Sequence, residues 1–95
     1  MASRDESIEL LNQTHAFPTT VLVKVIGLNQ QEFVVRVVTV LCEELNMTVP
    51  PPYSTRETPN GKHIALSLEP HLSNAEQVLD LYARLRRIEG VVMLL

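Results

Sequence analysis

The chain of 95 residues has a single cysteine, Cys42, no tryptophan and only three glycines. One thiol excludes an internal disulfide, a CxxC redox pair and a cysteine-built zinc site, and it suits a reducing compartment, so a cytoplasmic location is expected. Aromatic residues are 4% of the chain, and none falls where an RNA-recognition sheet would stack bases. Positive charge is also scarce. Eight Lys and Arg against eleven Asp and Glu leave a formal charge of −3, which attracts neither nucleic acid nor an anionic membrane. No apolar run reaches the roughly 18 residues of a membrane helix. The opening MASRDESIE has three acids where a signal peptide would be basic and then apolar. His15, His63 and His71 lack metal-ligand spacing, so neither a metal nor a cofactor is expected, and no catalytic motif stands out.

What the chain does have is apolar residues, 45% of the total, enough for one modest core in a single domain. Residues 1–16 are polar apart from Ile8, Leu10 and Leu11 and read as a flexible N-terminal tail. Residues 17–95 read as the domain. TTVLVKVI, Thr19 to Ile26, is β-branched, lies between Pro18 and Gly27, and predicts a strand. Asn29 with Glu32 has the spacing of a capping box, and Leu28 with Phe33 that of a hydrophobic staple, so a helix is expected over residues 30–45. Its apolar face would hold Phe33, Val34, Val37, Leu41 and Leu45.

Residues 47–58 are β-prone but include Pro50, Pro51 and Pro52, so a strand there belongs at a sheet edge. The turn Pro59-Asn60-Gly61 leads into KHIALSLE, where Ile64, Leu66 and Leu68 alternate with polar or small residues as in a half-buried strand. Ser73 and Glu76 suggest a second capping box, followed by the stripe Ala75, Val78, Leu81, Tyr82, Leu85 and Ile88, which ends before Gly90. The final VVMLL predicts a last strand. The order is βαββαβ. With right-handed crossovers it implies an α+β ferredoxin-like sandwich: an antiparallel four-stranded sheet, ordered 4-1-3-2 along the chain, with both helices on one face.

FPTTVLVKVIG, the PNGKHIALSL hairpin and the closing EQVLDLYARLRRIEGVVMLL resemble the bacterial YbeD family, a group defined as a domain of unknown function. The resemblance spans Phe17 to Leu95. It implies an ACT-like fold, similar to the amino-acid-sensing modules of metabolic enzymes, and no set activity. In such modules a ligand sits by the loop after the first strand, which here is Gly27, Leu28, Asn29, Gln30 and Gln31. The resemblance therefore marks these five as candidate contacts for an amino-acid-like molecule. Gly27 has an alternative reading from the residues themselves, as a turn glycine that swings the strand into the helix.

Two surfaces point to association. The apolar arc of the first helix widens from Val40 through Val37 and Val38 to Cys42 and Val35, more than one sheet contact needs. If Val21, Val23 and Val25 face the helices, Leu22 and Ile26 face outward beside Val92 and Leu94 of an uncharged edge strand. These six residues, Leu22, Ile26, Val35, Cys42, Val92 and Leu94, are the candidate contacts for a homodimer or a protein partner. Arg84, Arg86 and Arg87 match the dipole at the end of the second helix and read as a solvated cluster. The expected role is a non-enzymatic regulatory or adaptor domain that binds a small metabolite or a protein. The alternatives are a self-associating structural subunit and an acylphosphatase, which would need an arginine in the first loop, whereas Arg36 falls inside the helix.

Overall fold

Alternation along two central strands sets the architecture. Val23 and Val25 on one strand, and Ile64, Leu66 and Leu68 on another, put every second side chain into one core. The computed structural model describes residues 3–95. It contains α1 (Arg4–Thr14), β1 (Thr19–Thr20), β2 (Val23–Leu28), α2 (Gln31–Glu44), β3 (Tyr53–Glu57), β4 (His63–Leu68), β5 (His71–Leu72), α3 (Ala75–Arg86) and β6 (Val91–Leu94). The class is α+β, with three helices and two antiparallel sheets. The main sheet runs β3-β4-β2-β6, and β1 pairs with β5 in a small second sheet.

Phe33, Val37 and Leu41 of α2, and Val78, Leu81 and Leu85 of α3, bury into the same core as the inward residues of β2 and β4. Both helices thus cover one face of the main sheet. Each of these side chains contributes about 1.5–3 kcal/mol when fully removed from water.

The sequence-based expectations need correction at several boundaries. The segment read as a tail contains α1, while Met1 and Ala2 lie outside the described residues. Ser3 Oγ caps α1 by accepting from the Glu6 amide at 3.2 Å, Leu11 packs against the core, and Arg4 pairs with Asp80 of α3 at 3.0 Å. Tertiary contact thus holds a helix whose own sequence is only weakly amphipathic.

The stretch Thr19–Ile26 is not one strand. Its first two residues pair with β5, the Val21 amide donates to the Pro70 carbonyl, and the chain then moves across to pair with β4. The strand continues through Gly27 to Leu28 instead of stopping at the glycine.

Neither capping box sits where its spacing placed it. Gln30, not Asn29, caps α2, and it does so without a side-chain bond. Asn29 Nδ2 donates instead to Glu57 Oε1 at 3.0 Å and to the Gly61 carbonyl at 2.9 Å, tying the start of α2 to the β3–β4 hairpin. On α3 the box lies one residue later: Asn74 Oδ1 accepts from the Gln77 amide at 2.9 Å, and Gln77 Oε1 accepts from the Ser73 amide at 2.7 Å. The three prolines precede β3 rather than sit within it, so they do not themselves dictate its place, although β3 is the edge strand expected.

Candidate functional site

Gly27 is buried inside β2 and does not have positive φ, unlike Gly61 at 72° and Gly90 at 100°. Backbone freedom is therefore not its role. A Cβ at position 27 would come within 2.5 Å of Phe33 Cε1, closer still to Cζ, and 2.7 Å from the Gly90 carbonyl oxygen. The absent side chain makes room for the Phe33 ring and for the backbone that enters β6.

The loop beyond it spends its amides internally. Leu28 N–H donates to the Gly90 carbonyl at 3.1 Å, Asn29 N–H to Lys62 at 3.1 Å, and Gln30 N–H to Leu28 at 2.8 Å. The Asn29 side chain is also engaged, and Leu28, Gln30 and Gln31 point to solvent. The five candidate residues are adjacent but do not converge on a cavity. Gln31 borders a hollow of about 390 Å³, open to solvent, which it lines together with Glu32, Val35 and Arg36 of α2.

The face of the main sheet opposite α2 and α3 is built from Lys24, Ile26 and Leu28 of β2, His63, Ala65 and Ser67 of β4, Ser54 and Arg56 of β3, and Met93 of β6. Leu95, bonded across from Lys24, continues it. The register between β2 and β6 shifts between Ile26 and Gly27: Val91 stands opposite Gly27 and Met93 opposite Ile26, leaving Val92 as the extra residue of a bulge. One inserted residue reverses the alternation beyond it. Leu94, expected on this face, therefore packs against the core, and Met93 takes the outward position. Leu22, Leu28, Val92, Met93 and Leu95 are each 42–59% exposed along this face and its β6 border. Met93 and Leu95 depart from simple alternation because of the bulge, whereas Leu28 follows it once the strand runs on past Gly27. A buried glycine opposite an edge strand was the signal for the bulge.

Val35 and Cys42 lie apart from this face. Val35 is exposed on the first turns of α2. Cys42 is half-buried beside a hollow of about 410 Å³, with Val38, Met47 and Pro50 in its wall. Most of the wide arc of α2 is accounted for by packing, since Val34, Val38, Val40 and Leu45 rest against the core.

Arg84 bridges the helices, with Nη2 2.9 Å from Glu43 Oε1 and Nη1 3.3 Å from Glu44 Oε2. Those hydrogen bonds, Glu43 first and Glu44 next, raise its already high pKa. The role is a surface clamp between α2 and α3. Tyr82 is half-buried, and desolvation raises its phenol pKa above 10.0, partly offset by the Arg86 charge. Its hydroxyl donates to the Leu95 carbonyl at 3.2 Å. Among the described residues no three His, Cys, Asp or Glu side chains gather as a metal site, and no helix is long and apolar enough to cross a membrane.

These features define a small α+β domain whose core lies on one side of its main sheet and whose other side carries several exposed aliphatics. The family model described as "Protein of unknown function (DUF493)" matches residues 12–95. The chain belongs to that family, the YbeD family that its motifs resemble. No curated protein matches it.

Proposed function

We propose that the chain is a non-enzymatic regulatory or adaptor domain of ferredoxin-like, ACT-like architecture that works in the cytoplasm by binding a protein partner across the open face of its main sheet. The strand order β3-β4-β2-β6, with α2 and α3 on one face, supports the architecture. The observation that carries the functional reading is the row of exposed aliphatics Leu22, Leu28, Val92, Met93 and Leu95 on the uncovered side. Exposed aliphatic side chains gathered on an uncovered sheet face mark a candidate interaction surface.

A protein surface suits this face better than a metabolite suits the Gly27–Gln31 loop, because the amides of Leu28, Asn29 and Gln30 already have partners. An acylphosphatase-like activity has less support, since Arg36 is on α2 and not in the loop where it would meet a phosphate.

The test is site-specific photo-crosslinking in cells. A photoreactive residue at position 93 is expected to give a discrete protein adduct, and one at position 56, on the polar border of the same face, is expected to give none. Absence of an adduct from position 93, or the same adducts from both positions, overturns the reading.

A further inference from the structure

Val49-Pro50-Pro51-Pro52-Tyr53 leads into β3, at the border of the main sheet opposite the β6 border that carries Met93. One proline is enough to stop a ladder from extending, but three in a row also fix the backbone. A proline holds its own φ at about −65° and pushes the residue before it out of the helical region. Val49, Pro50 and Pro51 each precede a proline, and the peptide bonds of all three prolines are trans. Both dihedrals of Pro50 and of Pro51 are therefore set to polyproline II, a left-handed helix of about three residues per turn with no internal hydrogen bonds.

The burial pattern has that period. Pro51 is buried, whereas Val49, Pro50, Pro52 and Tyr53 are exposed, Val49 by 70% and Tyr53 by 46%. With about three residues per turn, Pro51 holds one edge of the ridge against the domain, and the two other edges, Val49 with Pro52 and Pro50 with Tyr53, face outward. The Pro52 carbonyl accepts from the Glu69 amide at 3.1 Å, which ties the ridge to the end of β4. Beside it lies a hollow of about 610 Å³, open to solvent, whose lining adds Thr20, Met47, Glu69 and His71 to the prolines.

This chemistry suits one class of partner. Proline edges dock in grooves lined by aromatic rings, and a polyproline helix that the fold has already ordered loses little freedom on binding. We propose that Val49–Tyr53 is a preformed polyproline II ligand, taken up by a protein partner whose groove is walled by aromatic rings. One outward edge of prolines and tyrosine enters the groove, and the hollow leaves room for a ring of the groove wall beside the ridge. This surface is additional to the open sheet face and does not rest on the reading of that face.

The experiment is an amide-resolved NMR titration of the labelled full chain with an isolated WW domain, a probe chosen because its groove is lined by aromatic rings. The contact is small, so saturable shifts are expected with a dissociation constant of order 100 micromolar, centred on the Val49, Tyr53 and Ser54 amides. Pro50→Ala and Tyr53→Ala, both at exposed positions, each weaken binding about tenfold and leave the spectrum of the core unchanged. Met93→Lys leaves binding as it was. A linear peptide of residues 47–55, titrated alongside, binds no more tightly than the chain, because the chain is ordered in advance.

Absence of saturable shifts in the full chain overturns the proposal. So does binding by the peptide alone, since the fold would then hide the ridge behind the burial of Pro51. Binding that survives both alanine variants, or that Met93→Lys abolishes, also overturns it, because the contact would lie elsewhere. None of these outcomes decides the open-face reading, which stands or falls on the adduct from position 93.

Discussion

Replacing Gly27 with alanine tests the packing of the whole β2–α2 corner. The new methyl would overlap the Phe33 ring and the Gly90 carbonyl. Phe33 is 1% exposed and cannot swing into solvent, and Gly90 is held by the turn into β6. Overpacking of this kind costs about 1–3 kcal/mol. Alanine also narrows the unfolded ensemble, which returns about 0.4–1 kcal/mol where the native backbone accepts it. The expected net loss is ~2 kcal/mol, a large share of the roughly 5–14 kcal/mol available to a chain this long. Urea denaturation should show a lower midpoint with an unchanged slope, and Tm should fall by roughly 10 °C. Phe33→Leu in the same chain shortens the side chain that is struck, so the double variant should be more stable than the sum of the two single losses implies. Strict additivity, or an alanine variant as stable as the parent, would refute the explanation based on space.

Three further outcomes follow from particular contacts. Leu94→Lys, which puts a charge against the core, should lose about 2–3 kcal/mol in urea melts, while Met93→Lys, one residue away but facing solvent, should stay within about 0.5 kcal/mol when measured as a monomer. Asn74→Ala removes the cap of α3 and should lose about 1 kcal/mol, with Ser73→Ala close to neutral because only the backbone of Ser73 takes part. Tyr82 has a folded pKa above its ordinary 10.0. The stability it contributes is therefore intact below about pH 10 and falls as pH rises toward the folded value. Ultraviolet titration should find one phenol ionising late, and Tyr82→Phe should abolish that part of the alkaline loss.

Periodicity made the core readable from the sequence. Val23, Val25, Ile64, Leu66 and Leu68 alternate, and Phe33, Val37, Leu41, Val78, Leu81 and Leu85 recur at helical spacing, so each lands where its period puts it. The misplacements came where a side chain had two possible partners. Asn29 is a good local cap, but the hairpin offered its amide a carboxylate and a carbonyl, and those distant acceptors cannot be seen in a local window. Gly27 was read as a turn because its neighbours in sequence show nothing of the Phe33 ring above it. The bulge at Val92 moved Leu94 inward and Met93 outward, a change of face that follows from one unpaired residue. The helix at Arg4–Thr14 is weakly patterned, and what holds it, Leu11 against the core and Arg4 on Asp80, depends on residues far along the chain.

That first helix gives the domain uneven resistance to opening. α1 has no fully buried residue and lies outside α3, held by Leu11 and one solvent-exposed ion pair, while α3 itself carries four buried side chains. Exposed pairs of that kind contribute about 0–1 kcal/mol and weaken with salt. The outer helix can therefore lift while the sheet and inner helices stay folded, and a protease acting at the exposed Ala16 would shed a layer without opening the core.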